Sequence, residues 1–73
     1  MDRAMFEQHL AQAEGHISLG ERHIARQREL VSELERGPYD TTEARLLLAN
    51  FEEVQKMHVV DRDRLRRELE QHS

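Results

Sequence analysis

Apolar residues return every seven positions through the first half of the chain. Leu10, Ile17, Ile24 and Val31 form one row, and Phe6, Ala13 and Leu34 form a second that also holds Gly20 and Gln27. Alternating steps of three and four are the mark of a helix that lays one narrow seam against a partner, with the two rows at heptad positions a and d. His9, His16, His23 and Leu30 then fall at g, and Glu7, Glu14, Glu21, Arg28 and Glu35 at e. The seam is bordered by histidines on one side and mostly by acids on the other.

Breaks in this pattern are few. Pro38 follows Gly37, a pairing that reads as a helix stop with the glycine in the left-handed C-terminal conformation. Asp40 with Glu43 reads as a capping box that starts a second helix, Thr41 being the rival cap. The spacing therefore predicts helix 1 over about 3–36, a turn at 37–40 and helix 2 over about 41–71, each roughly 50 Å long. A short connection makes them antiparallel neighbours.

Helix 2 fits the same frame with Ala44, Phe51, His58, Leu65 and His72 at a, and Leu47, Val54, Asp61 and Glu68 at d. Pairing the rows gives layers of Leu34 with Ala44, Val31 with Leu47, Gln27 with Phe51, Ile24 with Val54 and Gly20 with His58. Ile17 with Asp61, Ala13 with Leu65, Leu10 with Glu68 and Phe6 with His72 complete the set. Asp61 and Glu68 are misfits, because a carboxylate in a dry seam is costly. Either helix 2 rotates beyond Val54, bringing Leu69 and Arg62 inward with Arg62 near Glu14, or that end is wet. Leu30, Leu46, Leu48, Met57, Val59 and Val60 cannot all face one partner helix. A second hairpin completing a four-helix bundle would cover them. The expected fold is thus all-α, a coiled-coil-like antiparallel two-helix hairpin that dimerises. Its core and interface are expected to be built from Phe6, Leu10, Ile17, Ile24, Leu30, Val31, Leu34, Leu47, Leu48, Phe51, Val54, Met57 and Leu65.

Composition adds limits. The chain has 73 residues, enough for one domain, and no cysteine, so neither disulfides nor thiolate metal sites are available to reinforce a small core. Charged residues are 36% of the chain and the net charge is -4, which fits a mildly acidic, soluble protein. No apolar run approaches the ~20 residues of a membrane span, and "MDRAMFEQHL" is too polar for a signal peptide. A cytoplasmic location is expected, with a homodimer as the main partner and another helical protein docking on the leucine and valine clusters as the competitor.

Three candidate chemistries attach to these residues. Histidines seven apart lie about 10.5 Å apart along a helix, so His9, His16 and His23 cannot share one ion. Across the hairpin, His16 or His23 with His58 and Asp61 would make a nitrogen-rich metal site suited to zinc or nickel. Without metal, the histidines border the seam, and no cofactor is required. Five histidines could also make association pH-responsive, with some loss of oligomer between pH 7.5 and 5.5 as imidazoles charge. RNA binding by a ROP-like hairpin dimer is an analogy of fold, opposed by the net charge and by arginines that alternate with acids in "DRDRLRREL". No enzyme motif is present: Ser18 and Ser32 fall at outward positions with no base beside them.

The stretches "ERHIARQRELVSELER" (21–36) and "DTTEARLLLANFEEVQKMHVVDRDRLRREL" (40–69) resemble short helical proteins of rhizobial-type alphaproteobacteria, of unknown function. The resemblance implies a cytoplasmic bacterial helical protein and carries over no active residues.

Overall fold

A computed structural model of the chain describes residues 2–71, and among these the only regular elements are two helices, α1 (Arg3–Glu35) and α2 (Thr42–Gln71). They lie side by side in a rod 56 Å long and 14 by 13 Å across. His72, expected to pair with Phe6, lies outside the described residues.

The heptad of α1 is its buried face. Phe6, Leu10, Ala13, Ile17, Gly20, Ile24, Gln27, Val31 and Leu34 are buried or half-buried, and every other residue of α1 is exposed. Asp2 caps the helix, its carboxylate accepting from the Ala4 N–H at 3.1 Å.

On α2 the row of Ala44, Phe51, His58 and Leu65 faces α1 as expected, but its companion row does not match the expected one. Leu48, Gln55, Arg62 and Leu69 turn inward, while Leu47, Val54 and Asp61 are exposed and Glu68 is half-buried at the edge. The rotation proposed for the C-terminal end thus holds along the whole helix. The layers that placed Leu47, Val54, Asp61 and Glu68 opposite Val31, Ile24, Ile17 and Leu10 are replaced. Two physical terms favour the change. It removes Asp61 from the seam, where a carboxylate would lose its water. It also lets Gln55 donate from Nε2 to the Ile17 carbonyl at 2.9 Å. A second glutamine, Gln27, donates across the seam to the Ala44 carbonyl at 2.9 Å and is 7% exposed. Each amide NH2 finds a partner across the seam, and each bond is satisfied at only one alignment of the helices.

Ion pairs follow the same alignment. Glu35 meets Arg45, Arg28 meets Glu52 at 3.2 Å and Glu14 meets Arg66 at 3.1 Å, so steps along α1 are matched by equal steps in the opposite order along α2. Glu14 therefore takes Arg66 where Arg62 was expected; Arg62 instead binds its neighbour Asp63 at 3.1 Å. The three cross-helix pairs are exposed, worth about 0–1 kcal/mol each.

Gly20 is part of the glutamine device. A Cβ there would lie 2.0 Å from Gln55 Oε1, whereas a Cβ on Gly15 would meet nothing within 4 Å. Gly15→Ala is expected to stabilise the helix by about 1 kcal/mol. Gly20→Ala is expected to forfeit that gain, because it displaces the Gln55 amide and its bond of about 0.5–1.5 kcal/mol. Thermal unfolding of the two variants side by side checks the difference; equal gains would show that Gln55 does not hold this position.

The turn departs from expectation at Gly37. No glycine among the described residues has positive φ, and Arg36 is in the right-handed helical region at φ -75 and ψ -14. The helix closes instead by i to i−3 bonds, Arg36 N–H to Glu33 and Gly37 N–H to Leu34, both at 3.2 Å. Gly37 is needed for close approach: a Cβ would sit 2.7 Å from the Tyr39 ring.

At the start of α2 the Asp40 carboxylate accepts from the Thr42 N–H at 3.0 Å and its hydroxyl at 2.7 Å. The first helical bond runs from Arg45 N–H to the Thr41 carbonyl at 2.9 Å, so the rival Thr41 holds the cap position and Asp40 braces the helix start from the residue before it. The Thr42 bonds favour the charged carboxylate, so the Asp40 pKa lies below its ordinary 3.8. A depressed pKa means that the brace's contribution is complete above the unfolded value and is lost as pH falls through the folded one. The Thr42 amide resonance is expected to titrate with a midpoint below 3.8, and Asp40→Asn to abolish that titration; a midpoint at or above 3.8 would remove this brace.

Candidate functional site

The two sides of the seam differ in chemistry. One carries the ion pairs of Glu14, Arg28 and Glu35 with Arg66, Glu52 and Arg45. The other carries no cross-helix ion pair among those described, and there the histidine row of α1 lies against α2. His16 meets His58 with ring centroids 5.0 Å apart and planes tilted by 51°, and His23 stacks on Phe51 at 5.7 Å. This follows from the rotation of α2, which presents Phe51 and His58 to the g positions of α1.

A groove of about 350 Å³ opens between the helices here, lined by His16, Leu19, Gly20 and His23 from α1 and by Phe51, Val54, Gln55 and His58 from α2. The Gln55 side chain fills the space over Gly20 and forms part of the groove's wall. Apolar surface continues beyond it. Leu19 is 47% exposed, Leu30 42%, Leu47 44%, Val54 48% and Met57 70%. Leu30, Leu47, Val54 and Met57, expected in the core or interface, are thus outside the seam of the single chain. Met57, Val54 and His58 also line a second, larger and more open depression on α2 alone, whose wall includes Asp61 and Arg64.

The expected metal residues are brought together only in part. His16 and His58 are in contact, His23 is nearly two turns away against Phe51, and Asp61 accepts from Arg64 at 2.7 Å. That bond holds the Arg64 pKa above its ordinary value. Among the described residues, no three of His, Cys, Asp and Glu stand together as a metal-binding group. Ser18 and Ser32 are exposed. Asp63 pairs with Arg62, and Arg64 bridges Asp61 and Glu68, the latter at 3.5 Å. Among the described residues no helix is long and apolar enough to cross a membrane.

Leu19 and Gln55 were not singled out from the sequence. Leu19 sits at an outward heptad position, where a single leucine carries no signal. For Gln55 a signal existed in Gly20, a gap in the opposite row whose natural filler is a side chain longer than histidine's ring. Compared with protein families, with curated proteins and with solved structures, the chain matches none.

Proposed function

We propose that the chain is an antiparallel helical hairpin that pairs with a second copy through its histidine-bordered flank, completing a four-helix bundle, and that it serves as a non-enzymatic assembly module. The observation that carries this reading is the exposure of Leu19, Leu30, Leu47, Val54 and Met57 beside the groove, while the opposite flank is closed by ion pairs; Leu46 and Val60, 61% and 67% exposed, lie on the outer face of α2. The opposite order of contacts along the two helices supports the antiparallel arrangement.

Area supports a second copy as the occupant. The chain exposes 5707 Å², against about 4,700 Å² for a compact monomer of its 8.7 kDa. The excess, about 1,000 Å², is close to the ~800 Å² that each partner contributes to a stable interface.

Sedimentation equilibrium tests the reading, with a mass twice 8.7 kDa expected and a melting temperature that rises with protein concentration. A chain that stays monomeric at millimolar concentration, with a concentration-independent melting temperature, would overturn it.

A further inference from the structure

We infer that His16 and His58 form a two-histidine clamp for a late first-row divalent ion, zinc in the first instance, which ties α1 to α2 across the groove. The ring centroids stand 5.0 Å apart. Two imidazoles that share an ion at ordinary metal–nitrogen distances, with a ligand angle between square and tetrahedral, hold their centroids about 4.5–5.2 Å apart. The pair therefore already has the separation that chelation requires. The 51° tilt shows that the contact is not a face-to-face stack, so the rings are not committed to each other through their faces.

With two protein ligands, the ion keeps water in its remaining positions. Imidazole nitrogen without thiolate suits zinc, nickel and copper(II) over magnesium or calcium. The clamp lies within one chain, so it stands or falls separately from self-association, which sedimentation measures.

Zinc titration of the full chain, followed by calorimetry and by ring resonances of the histidines, tests the clamp. The expected result is saturable binding that moves the His16 and His58 resonances and raises the melting temperature, with magnesium doing neither. His16→Gln and His58→Gln should each weaken binding by more than about ten-fold, since loss even of a supporting partner costs that much. His23→Gln should bind as the parent does, its ring being engaged with Phe51. Because both ligands are at the surface of the seam, retained helicity of the variants is read by circular dichroism in the same samples. No binding at millimolar zinc would overturn the clamp. So would binding that survives both His16→Gln and His58→Gln, or that is lost equally in His23→Gln.

Discussion

Leu65→Ala is expected to leave much of the protein unfolded at 37 °C. Leu65 is 2% exposed and packs with Phe6 and Ala13, each 4% exposed, and with Leu10 and Leu69. Removing a buried leucine side chain costs about 2–5 kcal/mol, because the surrounding atoms close only part of the cavity. A single core in a chain this short supplies only about 3–5 kcal/mol in total. No second core layer shares the load: the remaining buried residues, Ile17, Gln27 and Val31, lie further along the rod toward the turn. Helical signal against temperature and urea measures the loss. Ser32→Ala, at an exposed position of α1, provides the comparison and should stay within about 0.5 kcal/mol of the parent. Equal losses in the two variants would show that Leu65 does not anchor the seam.

Val54→Glu is expected to abolish the proposed dimer while sparing the helix itself. Val54 is 48% exposed in the single chain, so a glutamate there keeps its water and, by helix propensity, slightly favours α2. Between two copies the same carboxylate would be desolvated without a partner, and twice over by symmetry, each such burial costing several kcal/mol. The expected mass falls from twice 8.7 kDa to 8.7 kDa, a change of at least about 100-fold in the dissociation constant. Glu21→Lys, on the flank that carries the cross-helix ion pairs, should leave the mass unchanged. Retention of the parent mass by Val54→Glu would place the interface elsewhere.

Much of α1 was legible from periodicity because its inward rows are nearly all apolar or small. Gln27 was placed in the seam by spacing against its polarity, and the structure buries it with its amide on the Ala44 carbonyl. On α2 the periodicity points to the wrong companion row. Leu47 and Val54 look more suitable for a seam than Gln55 and Arg62, so hydrophobicity selected the wrong companion row. That row also contains Asp61 and Glu68, carboxylates that a dry seam disfavours. Local spacing gives the row at Ala44, Phe51, His58 and Leu65 but leaves two choices for the row beside it.

By itself, then, the sequence determined two helices, the turn between them, the inward face of α1 and one of the two inward rows of α2. These follow from local geometry: a period of seven, a proline after a glycine, and a run without breaks. Only the tertiary structure decided the rotation of α2, because that depends on which side chains find partners across the seam. The Gln55 bond to Ile17, the space at Gly20 and the exclusion of Asp61 all act between residues far apart in the chain. The same rotation places His58 against His16 and turns Leu47, Val54 and Met57 outward. The candidate site is therefore a consequence of packing, and no motif along the chain encodes it.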